Sequence, residues 1–275
     1  MLLNFITWDV DPQIFHFGCF PLRWYGALFA ASFVVGYFIM RKIFRQEGVS
    51  LHLPDRLAWY MVFGTLIGAR LGHCLFYEPG YFLKNPAEIV MIWHGGLASH
   101  GAATGILIAL YIFSRVERLP YLWILDRLTI ALALSCFFIR LGNLMNSEIY
   151  GHVTNLPWGF EFVLSPEWYR FPINAQACHP TQIYEALAYF AVFAWLYRMY
   201  FYSDEKPFPG VLFGILLVSL FTARFFIEFL KQNQVDFEKG MLLNMGQLLS
   251  IPFIIGGIYL LTRRRIIIIS NTLIS

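Results

Sequence analysis

Residues 211–230 read VLFGILLVSLFTARFFIEFL, twenty residues in which only Arg224 and Glu228 are charged. About 20 predominantly apolar residues are what a helix needs to cross a hydrocarbon layer roughly 30 Å thick. A β-barrel strand would instead be about ten residues of alternating character, and this run is apolar on every side. Six further stretches follow the same pattern, at 25–40, 57–77, 97–113, 122–139, 183–202 and 242–262. The whole composition agrees, since 58% of the 275 residues are hydrophobic and only 13% are Asp, Glu, Lys or Arg. A water-facing domain carries about 25% charged residues, so too little polar surface exists here to cover one. Disordered chains, disulfide-stapled secreted domains and nucleic-acid binders are excluded on the same ground.

The expected fold is all-α, a polytopic integral membrane protein with seven transmembrane helices. One domain covers 1–265 and includes a small outer-side cap at 146–178, rich in Pro, Trp and Tyr; residues 266–275 form a tail with no assigned role. Alternate loops collect 12 of the 20 basic residues, Arg127 among them, whereas Lys231 falls on the opposite side. The positive-inside rule then places the N-terminus outside and the C-terminus in the cytoplasm. Residues 1–20 contain Asp9, Asp11 and Pro12 and no basic start, so no cleavable signal peptide is read. Trp8, Phe15, Phe17 and Trp24 suit an outer headgroup belt. Cys74 and Cys136 read as small core residues, while Cys19 and Cys178 both fall outside and are open to a bridge.

Charges at membrane depth are costly and mark candidate sites. The densest group is 140–151, RLGNLMNSEIYG, at the outer end of the fourth span. A helix continued through Arg140 puts Asn143 and Asn146 on its face, and Gly142 admits a ligand or another backbone. A guanidinium there matches a phosphate; the alternative is a snorkelling arginine partnered by Glu148. Arg224 can pair with Glu228 four residues on, or join Arg140 in holding an anionic headgroup. Arg70 lies among Gly64, Gly68 and Gly72, whose spacing makes a close-packing stripe, and points away from it toward either a ligand or a structural partner. In 93–101, WHGGLASHG, His100 is the better placed of two histidines to take a proton, and Gly101 and Gly105 equally fit helix packing. In 179–185, HPTQIYE, Pro180 opens a helix that carries Gln182 and Glu185 inward.

Taken together these segments resemble the prolipoprotein diacylglyceryl transferases of bacterial inner membranes. The resemblance covers nearly the whole chain, from Arg23-Trp24-Tyr25-Gly26 through 68–72, 94–101, 140–151 and 179–185 to Arg224 with Glu228 and 246–252. It implies transfer of the diacylglyceryl group of phosphatidylglycerol to the lipobox cysteine thiol of a prolipoprotein, forming a thioether and releasing glycerol 1-phosphate on the outer, periplasmic side. The family's essential residues fall on Tyr25, His100, Arg140, Asn143, Glu148, Gly151 and Arg224. Where relatives often carry Asp, this chain has His94, and no role carries over to it.

For such a reaction Arg140 and Arg224 would neutralise charge growing on the leaving phosphate. His100 is the candidate base for the thiol, assisted by Tyr25 or Glu148. Asn143, Glu148, Gly151, Arg70 and Gln182 join the two arginines as expected lipid contacts. No metal or organic cofactor is needed. The competing class is a transporter or scramblase for anionic lipids, with a seven-helix receptor a weaker third.

Overall fold

A computed structural model describes residues 5–17, 20–92, 95–165, 176–203, 207–232 and 240–274. Eight α-helices are present among them: α1 (Trp24–Gln46), α2 (His52–Phe76), the short α3 (Pro79–Lys84), α4 (Ser99–Glu117), α5 (Tyr121–Met145), α6 (Thr181–Phe201), α7 (Val211–Ile227) and α8 (Met245–Ile274). Single 3-10 turns follow α3 at Pro86–Val90 and α7 at Glu228–Leu230. Four segments are both long and apolar enough to cross a membrane: Trp24–Gln46, Tyr121–Met145, Val211–Leu230 and Met245–Arg263. The equally long α2, α4 and α6 dilute their apolar character with Arg70, His73, His100, Gln182 and Glu185. Helix α8 does not stop at the three arginines 263–265 but runs on to Ile274.

The all-α expectation needs one correction. Among the described residues four short strands are present, β1 (Ile6–Trp8), β2 (Gln13–Phe17), β3 (Phe20–Arg23) and β4 (Phe160–Phe162). Strands β2 and β3 pair antiparallel, and β1 pairs parallel with β4. The second pairing explains Trp8, which the sequence assigns to a headgroup belt. Its ring packs on Phe160 at 5.5 Å and its indole N–H donates to the Leu144 carbonyl at 3.1 Å, so an amphipathic side chain is used to dock the N-terminal strand at the end of α5. Leu144, Phe160, Phe162 and Cys178 form a small core beneath it. The Cys178 thiol lies 3.5 Å from the Gln176 carbonyl oxygen, and Cys19 lies outside the described residues.

The chain forms two compact units, 1–36 with 128–275, and 37–127. In the second, α2 packs on α4 through glycines. A Cβ on Gly105 would lie 2.8 Å from the Gly68 Cα, and one on Gly101 would lie 2.7 Å from the Gly72 Cα. The four-residue spacing on both helices therefore serves backbone contact. Gly105→Val is expected to overpack this seam by about 1–3 kcal/mol. A thermal melt of the detergent-purified variant checks it, and an unchanged melting temperature would contradict the contact. Arg127, counted above as a loop cation, is instead 6% exposed. It stacks on Trp123 at 4.4 Å and pairs with Glu47 at 2.8 Å, a partner 80 residues away that a loop count has no means of seeing. In the first unit, Gly214 of α7 and Gly257 of α8 make a similar close approach.

Candidate active site

Helix α5 carries Arg140 and Asn143 on its last turns and unwinds at Met145. The exit is held by Asn146 N–H donating to the Gly142 carbonyl and Glu148 N–H to the Asn143 carbonyl, both at 3.1 Å. Ser147 (φ 51°) and Ile149 (φ 61°) then adopt left-handed backbone. For residues with a Cβ, and a β-branched one above all, that conformation costs energy and persists only where surroundings enforce it. The surroundings here are the start of α6, where Gln182 Nε2 donates to the Glu148 carbonyl at 2.7 Å and Thr181 Oγ1 to the Ile149 carbonyl at 3.0 Å.

The side chains form a chain of polar contacts. Arg140 Nη1 donates to Asn143 Oδ1 at 2.9 Å, and Asn143 Nδ2 donates onward to Glu148 Oε1 at 2.8 Å. Asn146 Nδ2 reaches the same Glu148 oxygen at 3.2 Å. The alternative reading, a direct Arg140–Glu148 pair, is replaced by an amide bridge. Arg140 finds its carboxylate on α6 instead, with Nε 2.9 Å from Glu185 Oε2. Glu185 is fully buried, and its other oxygen accepts from the Tyr189 hydroxyl at 3.0 Å. Lys231, which the sequence marks only as an outer-side cation, completes the group together with Glu228. Lys231 Nζ lies 3.0 Å from Glu185 Oε2 and 3.1 Å from Glu228 Oε2, and only 2% of Lys231 is exposed.

The sequence leaves Arg224 open to pairing with Glu228, four residues on, or to holding an anionic headgroup. The Glu228 carboxylate turns to Lys231 instead, and a Cβ on Gly246 of α8 would overlap it. Among the described residues the guanidinium of Arg224 makes no ion pair or hydrogen bond, and it lies within electrostatic reach of Glu185 and Tyr189. Tyr25 at the start of α1 is half-buried against Gly142, where a Cβ would come within 2.8 Å of its ring, so the room Gly142 makes is taken by this ring. Tyr25 is also within electrostatic reach of Glu148 and Arg140.

Gly151 donates its N–H to the His179 carbonyl at 2.8 Å and bridges to Lys231, while Gln232 Nε2 donates to its carbonyl at 3.1 Å. A Cβ at Gly151 would lie 2.8 Å from both His179 and Thr181 side chains, so this position requires glycine for close packing. Burial pushes the His179 imidazole below its usual pKa, and neighbouring His152 adds to the shift. His179 therefore stays neutral near pH 7, with Nδ1 3.3 Å from the Tyr184 hydroxyl.

Of the nine sequence candidates, Tyr25, Arg140, Asn143, Glu148, Gly151, Gln182 and Arg224 fall in the unit 1–36 with 128–275, and Arg70 and His100 in 37–127. Arg70 is 5% exposed and lies over the Phe82 ring at 5.0 Å. Its Nε donates to the Ile89 carbonyl at 3.0 Å, and its Nη groups donate to the carbonyls of Glu88, Met91, Gly95 and Gly96. These donors are spent on one loop, so we assign Arg70 to holding that loop in place of the expected lipid contact. His100 is exposed at the first turn of α4, with its carbonyl accepting from Thr104 Oγ1 at 3.0 Å. His94 lies outside the described residues.

An arginine on α5, tied through an amide to one carboxylate and paired with a buried glutamate of α6, is a group that an anionic headgroup fits. Comparison with known proteins agrees, since residues 12–263 match the family model described as prolipoprotein diacylglyceryl transferase. The chain belongs to the prolipoprotein diacylglyceryl transferase family. It is 47% identical over 267 residues to the phosphatidylglycerol–prolipoprotein diacylglyceryl transferase of Porphyromonas gingivalis, covering 94% of each chain. The proteins of the same name from Chloroherpeton thalassium and Tolumonas auensis are 44% and 45% identical, over 94% and 93% of this chain and 94% and 96% of theirs. Membership in the transferase family gives the Arg140 to Gly151 loop a chemical setting.

Proposed function

We propose that the chain is a membrane-bound transferase that moves the diacylglyceryl group of phosphatidylglycerol onto prolipoproteins. The observation that carries this reading is the similarity to named transferases along nearly the full length of both chains. It is supported locally by the Arg140–Asn143–Glu148 contacts and by an Arg224 guanidinium that has no ion pair or hydrogen bond among the described residues. A transporter or scramblase for anionic lipids has no observation in its favour. In the fuller reading, seven helices cross the bacterial inner membrane, the N-terminus lies outside and the C-terminus in the cytoplasm, and 146–178 form a periplasmic cap.

The acceptor is the lipobox cysteine. Its thiolate sulfur attacks the glyceryl carbon that bears the phosphate, the new carbon–sulfur bond replaces the carbon–oxygen bond, and the electron pair leaves on the phosphate oxygen. Arg140 and Arg224 stabilise that growing charge; Asn143 and Glu148 fix Arg140, and Gln182 fixes the loop that presents Glu148. A thiol with an ordinary pKa of about 8.5 needs a base, and His100 fills that role, with Tyr25 or Glu148 assisting. Incubation of the purified protein with phosphatidylglycerol and a lipobox peptide tests the function. The expected result is a mass gain of one diacylglyceryl group, absent when the peptide cysteine is replaced by serine; no gain in either peptide would reject it. His100→Gln is expected to lower kcat about 100-fold, within the usual range for loss of a general base. Full activity in that variant would move proton removal to the lipid phosphate or to a thiol acidified by the arginines.

A further inference from the structure

Lys231 stands in the site without a part in the reaction as written. Its ammonium is clamped between two buried carboxylates, 3.0 Å from Glu185 and 3.1 Å from Glu228. Each carboxylate has a further neighbour. Glu185 is held through its second oxygen by the Tyr189 hydroxyl, and Gly246 closes on Glu228. The backbone of Lys231 is fixed as well, bridged to Gly151 and flanked by the Leu230 carbonyl, which accepts from His152 N–H at 2.7 Å. Lys231 and Arg140 share one acceptor, Glu185 Oε2, at 3.0 and 2.9 Å.

We propose that Lys231 is a positioning residue for diacylglyceryl transfer, taking up the charge of Glu185 so that the Arg140 guanidinium keeps its orientation and an unquenched field for the lipid phosphate. Two physical consequences follow. First, among the described residues Arg140, Arg224 and Lys231 stand against Glu148, Glu185 and Glu228, a balanced set. Removing Lys231 leaves a net negative pocket, and a phosphodiester brings a further negative charge into it, which weakens lipid binding. Second, Glu185 left with Arg140 alone draws the guanidinium toward itself and quenches its field at the leaving oxygen, which slows the chemical step. A lysine suits this role because a compact point charge can serve two carboxylates at once.

The inference rests on the transferase reading, and steady-state kinetics of the purified full-length protein separate the two, since absence of transfer by the unmodified protein would reject the reading itself. Lys231→Met is expected to raise the KM for phosphatidylglycerol about tenfold and lower kcat about tenfold, with the KM for the lipobox peptide unchanged. Lys231→Arg, which keeps the charge, is expected to stay within about threefold in kcat. A paired Glu228→Gln, Lys231→Met variant restores the charge balance and leaves no orphaned Glu228 carboxylate, so it reports even if the single variant does not fold. Its lipid KM should return to within about twofold while kcat stays about tenfold low, because Glu185 still has Arg140 alone. Unaltered kcat per folded molecule in either Met variant would overturn the proposal. So would equal losses in the Met and Arg variants, which mark a purely structural lysine.

Discussion

Arg140→Gln is expected to reduce kcat/KM for phosphatidylglycerol by about 1,000-fold, roughly 4 kcal/mol of lost transition-state stabilisation. Two losses combine in this variant. The charge facing the leaving phosphate disappears, and the contact chain through Asn143 Oδ1 to Glu148 loses its first donor. Arg140→Lys separates them, because an ammonium keeps the charge but has no planar fork to hold Asn143 and Glu185 together, as Nη1 and Nε now do. It is expected to recover no more than about tenfold. Arg140→Gln also strips Glu185 of one of two cationic partners, and breaking a buried pair costs up to about 3–5 kcal/mol when nothing else compensates. Lys231 remains 3.0 Å from Glu185, so the melting temperature should fall only modestly. Transfer kinetics with a thermal melt on the same preparations check both parts; wild-type kcat in Arg140→Gln would remove Arg140 from the chemistry.

The features that local pattern controls were legible in the sequence. Apolar runs mark the helices, and the four-residue spacing of Gly64, Gly68 and Gly72 marks a seam that α4 does fill with Gly101 and Gly105. The density of Arg, Asn, Glu and Gly in 140–151 marks the site, because so many polar groups at a helix end of an apolar chain need a reason. What failed to show was pairing across sequence. The approach of Glu185 to Arg140, and of Lys231 to Glu185, is set by how α5, α6 and the turn after α7 pack. Counting loop cations for orientation treated Lys231 and Arg127 as solvated, although both are buried beside carboxylates. For Lys231 one local signal existed, its position three residues after Glu228 in a helical stretch, and the four-residue step from Arg224 competed with it. Arg70 misled in the opposite direction. An arginine at membrane depth reads as functional, yet its donors are consumed by the carbonyls of residues 88–96, which no periodicity brings beside it.

Arg224 gives the cleaner test of electrostatic catalysis, because its side chain ties no other groups together among the described residues. Arg224→Gln is expected to lower kcat/KM for phosphatidylglycerol by about 1,000-fold while leaving the melting temperature within about a degree of the parent. The contrast with Arg140 follows from their partners. Arg140 joins α5 to α6 through Glu185, whereas the Arg224 guanidinium makes no ion pair or hydrogen bond among the described residues, and Glu228 is already satisfied by Lys231 at 3.1 Å. A half-buried guanidinium left without an acceptor forgoes about 1.5–3 kcal/mol for each charged hydrogen bond it fails to make. A bound phosphate would supply those acceptors, so adding phosphatidylglycerol should raise the melting temperature of the parent and not of Arg224→Gln. Equal stabilisation of both proteins by the lipid, together with unchanged turnover, would show that the phosphate lies elsewhere and would return Arg224 to a role in setting the charge around Glu185.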